Sequence, residues 1–367
     1  MNAPGGFRRL ALALQRRAAL GLQPLTAPLT ILIPLGAVRG PRGLGLLSEG
    51  ALAGLDVAVT IALATLGVFI GVAGARQAPA MPRLFAAASV EAAVTVAIVA
   101  GAVFVLLGRW GVPLGLPALV VALALGMSAS ASAAPAAENR AVPEHETAAR
   151  VADLDDVLPI LLWGVVIGIA AGHSGPAAAA LAVLVGLGAG LCGWLLFERA
   201  EGEPERAVFV LGCLALTGGA AAFAGASPLL AGLVAGWFWV VAPGQADRLV
   251  ASDLRKIQHP LVILLLITTG ARISPDLLGV WLFVPYVTFR LGGKLIGGWT
   301  ASRLAPQVAP SDLGTYLIAP GVIGIAFALN LAQVAPAAAA PVLFAVALGA
   351  ITCELLTVLV TPSTRPI

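Results

Sequence analysis

The 367 residues predict an all-α, polytopic membrane protein. Composition is the first reason. Hydrophobic residues make up 59% of the chain and charged residues only 11%, against about 25% in a soluble globular protein. Mean hydropathy is +0.99. The pattern of the apolar runs is the second. They are continuous and rich in Ala, Leu and Gly, not the alternating ten-residue segments of a membrane barrel. The third is their number: twelve stretches approach the roughly 20 residues a helix needs to span lipid. The net charge of +3 therefore bears on orientation, and no nucleic-acid partner is expected.

The predicted spans are 20–38, 52–74, 84–108, 112–134, 145–172, 175–197, 207–224, 227–243, 258–274, 277–303, 313–334 and 338–361. Residues 1–19 place arginines before an apolar run too short for a signal peptide, and read as a basic cytoplasmic lead-in. Residues 362–367 read as a short cytoplasmic tail, and 20–361 as one transmembrane domain. Span 3 carries Glu91. Span 4 ends in "SASASAAP", small hydroxyl residues closed by Pro135. Span 5, "EHETAARVADLDDVLPILLWGVVIGIAAG", is polar in one half and apolar in the other, with Asp155 and Asp156 between. Spans 6 and 7 flank "FERAEGEPER", read as a solvated loop. Span 10 carries Arg290 and Lys294 in "FRLGGKLIGG". Span 11 is interrupted by Pro320 and Gly321, and span 12 holds Glu354. Cys192, Cys213 and Cys353 have no paired spacing and read as small reduced residues.

Charge orients this bundle. With the N-terminus inside and twelve spans, inside segments hold 15 of the 21 Lys and Arg, outside segments hold Arg39, Arg42, Arg109 and Arg272, and the other two are Arg290 and Lys294. The positive-inside rule favours that arrangement, with both termini cytoplasmic.

Spans 4 and 11 differ by seven. If spans 1–5 and 8–12 (about 20–172 and 227–361) are two copies of one unit, both interruptions fall at the same place. Interrupted helices at matching positions of an inverted repeat mark a transporter's substrate site. Ser128, Ser130, Ser132, Pro320 and Gly321 would then line the site. An ionisable group in mid-membrane costs roughly 2.5–3.5 kcal/mol, so those present need partners or a task. Asp155 and Asp156 lie roughly 24 Å from the outer end of their span and Lys294 roughly 28 Å from that of its own, so they can meet at similar depth. Two adjacent carboxylates in low dielectric resist joint ionisation, and a lysine beside them lets one ionise. Such a cluster can exchange protons for a small cation, whose oxygen ligands the carboxylates and the unwound carbonyls of spans 4 and 11 could supply. The same charges can also form only a structural salt bridge. Arg290 reads as one member of a fixed structural pair with Glu91 or Glu354.

"GAVRGPRGLGLL" (36–47), "ATLGVFIGVAG" (64–74), "DLDDVLPILL" (153–162), "RLGGKLIGG" and "APGVIGIAFAL" (319–329) resemble, in order, segments of the sodium/proton exchanger superfamily, most closely its cation:proton antiporter-2 branch. The resemblance implies a core with crossed, broken spans 4 and 11, a dimerisation domain, and alternating access. It implies that Asp156 is the principal cation and proton carboxylate and that Asp155 pairs with Lys294. In that family an Asp–Asp pair accompanies electrogenic exchange. The first broken helix of the family carries Thr with Asp, or Ser-Ser-Thr, where this chain offers three serines. The expectation is a Na+/H+ antiporter of a bacterial inner membrane, Na+ ahead of K+, homodimeric, serving pH homeostasis, not an enzyme, with no cofactor and no regulatory nucleotide-binding domain. The alternatives are a sodium-coupled symporter, which would need a second site near Asn330 and Gln333, an intramembrane aspartyl protease, and a non-transporting membrane partner.

Overall fold

Apolar sequence in lipid leaves the backbone no water to bond with, so each run closes its own hydrogen bonds as helix. The computed structural model describes residues 29–77, 81–133, 143–197, 199–243 and 246–360. They form α1 (Leu29–Arg39), α2 (Glu49–Gln77), α3 (Pro82–Arg109), α4 (Leu116–Ser130), α5 (Pro143–Leu154), α6 (Val157–Ala170) and α7 (Gly175–Phe197). There follow α8 (Glu203–Phe223), α9 (Pro228–Val241), α10 (Ala246–Arg272), α11 (Leu277–Leu304), α12 (Leu313–Tyr316), α13 (Val322–Val334) and α14 (Pro336–Val360). α2, α3, α7, α8 and α14 are each long and apolar enough to cross a membrane, and α1, α4, α9 and α13 are shorter apolar helices. The expected lead-in and tail lie outside the described residues.

The boundaries depart from expectation in three places. The fifth span is not continuous. It splits at Asp155–Asp156 into α5 and α6. Pro159 is the reason: it has no N–H to give to the Asp155 carbonyl, four residues back, and its ring crowds that carbonyl. The ninth starts at Ala246 rather than 258, because its polar lead is already helical. The eleventh has only one helical turn, α12, before an extended segment and then α13.

Glycine sets how closely helices approach. A β-carbon at Gly67 of α2 would lie 2.1 Å from the carbonyl oxygen of Leu229 in α9, and one at Gly232 of α9 would lie 2.0 Å from that of Ala64 in α2. α1 and α10 meet the same way, with Gly36 against Ile267 and Gly270 against Ile33. Such close backbone contact is what drives helix association in lipid. In span numbers the pairs are 2 with 8 and 1 with 9.

The two interrupted helices cross where their helical turns stop. Ser132 and Pro320 form an antiparallel bridge. The Ala133 N–H donates to the Ala319 carbonyl at 2.9 Å, and the Gly321 N–H to that of Ala131 at 3.2 Å. A β-carbon at Gly324 would lie 2.6 Å from the Ser128 carbonyl oxygen, so the crossing needs glycine there.

The ends of the bundle differ. At one, Arg272 meets Asp56 Oδ1 at 2.6 Å, and Gln333 Nε2 donates to the Asp56 carbonyl and to Thr60 Oγ1. At the other, Arg206 donates to Asp253 Oδ2 at 2.8 Å. The segment expected to be a solvated loop thus gives a half-buried arginine to an ion pair. Its hydrogen bond holds the Asp253 carboxyl below the usual carboxylate range.

Candidate functional site

The crossing creates an electrostatic problem and α11 answers it. α4 ends in mid-bundle, so its last carbonyls lack helical partners and carry the negative end of the helix dipole. Arg290 of α11 donates Nη1 to the Ala129 carbonyl and Nη2 to that of Ala131 at 2.9 Å. Longer contacts of 3.4 Å reach the Ser128, Ile318 and Ala319 carbonyls. The planar fork of five donors suits this set in a way a lysine would not. The expected pairing of Arg290 with Glu91 or Glu354 is therefore wrong. Arginine here meets backbone, whose acceptors sequence does not display.

Glu354 is elsewhere: its Oε2 accepts from the Thr30 N–H at 2.9 Å, at the first turn of α1, where helix N–H groups lack internal partners.

One turn along α11, Lys294 meets Asp155 Oδ2 at 3.1 Å, Glu91 at 3.2 Å and the Ser130 carbonyl. An ammonium has three hydrogens, and three acceptor groups surround this one. Lys294, Glu91 and Asp155 are fully buried, and Asp156 is 3% exposed. Glu91 sits on α3, and its Oε1 also accepts from Thr95 Oγ1 at 2.9 Å. The link between Glu91 and Lys294 is not legible in sequence, because the glycines beside the lysine show only that another helix comes close. A β-carbon at Gly297 would lie 2.8 Å from the Glu91 carbonyl oxygen and 3.3 Å from Oε1.

The two aspartates are not equivalent. Asp155 holds the lysine. Asp156 Oδ1 is buried with no hydrogen-bond partner, and so is Asp155 Oδ1. Both sit at the joint between α5 and α6, where Pro159 leaves a carbonyl without its helical donor.

The serines of the first break also divide. Ser130 donates to the Met127 carbonyl, and Ser132 to those of Leu317 and Ser130. Ser128 Oγ is buried without a partner. Pro320 and Gly321 form the other side of the crossing through backbone.

A cavity of about 480 Å³ runs beside this joint, between Phe85, Val157 and Leu161 on one side and Leu233, Trp237 and Phe238 on the other. At the opposite end of the seam, Trp163 donates to Asn330 Oδ1 at 2.9 Å and Ser227 to the same atom at 3.4 Å. Asn330 and Gln333 are thus already engaged by protein. Among the described residues no cluster of three or more His, Cys, Asp or Glu could hold a resident metal ion.

No family model matches the sequence. None of the curated proteins matches it either. Among solved structures, the sodium proton antiporter MjNhaP1 from Methanocaldococcus jannaschii, at pH 8, is similar over 96% of this chain and 95% of that one. The TM-score is 0.63 and the sequence identity 16%. The chain is a multi-pass, all-α membrane protein with that fold.

Proposed function

We propose that this chain is a secondary-active antiporter of the sodium/proton exchanger superfamily, moving a monovalent cation, Na+ ahead of K+, against protons. The observation that carries the reading is Asp156. It is a buried carboxylate with an oxygen that meets no donor, next to an aspartate already paired with lysine, at a helix joint beside two crossed broken helices. The antiporter fold supports it.

Asp156 holds the cation or a proton. Asp155 shares the load whenever Lys294 releases it. Two carboxylates that face one ion need not ionise together when it is absent. The hydroxyl of Ser128 is a free oxygen on the neighbouring break, suited to a hard cation. Arg290 pins the crossing, so the broken helices carry the site as one body. The Asn330 and Gln333 contacts close one end of the seam, and alternating access opens it in turn. The antiporter-2 branch, the homodimer, the repeat units of about 20–172 and 227–361 and the bacterial inner membrane belong to this proposal.

The symporter reading weakens because Asn330 and Gln333 bind Trp163, Ser227, Asp56 and Thr60. An aspartyl protease would need its carboxylates on facing helices, and here they are adjacent in sequence.

The test is a pH dye in everted vesicles from cells lacking their own exchangers. Addition of sodium, lithium or potassium to the wild type dequenches the dye, and Asp156→Asn abolishes the response. Normal exchange by Asp156→Asn overturns the assignment.

A further inference from the structure

Lys294 touches two buried carboxylates on different elements, and they are held differently. Glu91 is anchored. Thr95 donates to one of its oxygens, and Gly297 leaves the room its side chain fills. Asp155 is looser: one oxygen takes the lysine and the other meets no donor. The nitrogen lies 3.2 Å from Glu91 and 3.1 Å from Asp155, so it passes from sharing to a single partner with little movement.

A buried ammonium cannot give up its only counter-charge without a large penalty. A cation that is to use Asp155 together with Asp156 must first take Asp155 from the lysine. With Glu91 in place the lysine keeps a carboxylate and stays in its socket on the Ser130 carbonyl. We propose that Glu91 is a positioning residue, the resting station to which Lys294 withdraws when the cation loads on Asp155 and Asp156. The proposal rests on the reading of those aspartates as the cation site. It assigns Glu91 a part in cation affinity that a purely structural ion pair would not have.

The experiment is sodium-driven proton movement by the full-length protein in proteoliposomes, with apparent KM and Vmax measured separately. In Glu91→Gln the lysine has only Asp155, so the cation must displace it at full cost. The KM for sodium rises roughly tenfold, while Vmax changes far less. In the double variant Glu91→Gln with Lys294→Gln nothing has to be displaced, and the KM falls back toward the wild-type value. A merely structural glutamate predicts lower Vmax at unchanged KM, with no recovery in the double variant, and that pattern overturns the proposal. If Glu91→Gln does not fold, the shorter Glu91→Asp replaces it. A raised KM supports the handover, and a wild-type KM in that variant overturns it. Sodium-dependent thermal stabilisation of the same preparations separates the two levels of the argument. A folded wild type that neither exchanges nor is stabilised by any monovalent cation overturns both readings. Exchange lost in Asp156→Asn but untouched in Glu91→Gln overturns this one alone.

Discussion

Arg290 and Lys294 stand one turn apart on the same helix, and their surroundings could hardly differ more. Arg290 meets carbonyls at the crossing. Lys294 meets two carboxylates and one carbonyl. Carbonyls keep their partial charge at every step of a transport cycle, so a cation bound to them has nothing to respond to. Carboxylates change charge when they take a proton or a metal ion, so a cation bound to them responds to loading. On the proposed function, the contrast gives the first residue a structural part and the second a mechanistic one.

The sharpest way to break that contrast is Arg290→Ala. It strands the Ala129 and Ala131 carbonyls in a dry joint at about 1–3 kcal/mol each, and the expected loss is about 2–6 kcal/mol. It should show as a collapse of the thermal transition in detergent, or as failure to recover folded protein. A wild-type transition would remove the structural role. Lys294→Gln should cost less, about 1–3 kcal/mol, because carboxylates left without a lysine can take up protons and carbonyls cannot. This variant should stay folded by circular dichroism yet exchange abnormally. A variant with normal exchange would make Lys294 a structural charge like its neighbour.

Gly324→Ala probes the crossing without touching charge. Its methyl would press on the Ser128 carbonyl and should destabilise by about 1–3 kcal/mol. The smallest effect lies away from the site. The Asp253 carboxyl titrates below its unfolded value of 3.8 because Arg206 donates to it. Its stabilisation is therefore present at neutral pH and fades as pH falls through the lowered folded value. Asp253→Asn should lower the melting temperature slightly at pH 7, and the difference should shrink as pH falls below 3.8 toward the lowered folded value. A difference that stays constant or grows on acidification would contradict the sign.

Sequence showed where charge sits in the membrane and where helices break, because both violate the composition around them. Asp155, Asp156 and Lys294 stood out for that reason, and Pro320–Gly321 marked the second break. Partners were harder to see. Arg290 binds backbone, and a carbonyl has no letter in a sequence. Glu91 lies about 200 residues from Lys294, so only the fold could show that α3 faces α11. The joint at Asp155–Asp156 was legible in principle through Pro159, yet the apolar run around it reads as one helix. The glycine contacts of α2 with α9 have visible four-residue spacing, but spacing does not name the facing helix.

The central claim is that the carboxylates at the α5–α6 joint bind a monovalent cation, and direct binding tests it best. The measurement is the melting temperature of the purified protein as sodium is raised, with choline holding ionic strength constant. The account predicts a rise in the wild type, equivalent to about 2.7 kcal/mol at a hundredfold excess over Kd, and none in Asp156→Asn. The same rise in both proteins, or no rise in a folded wild type with sodium, lithium or potassium, would contradict it.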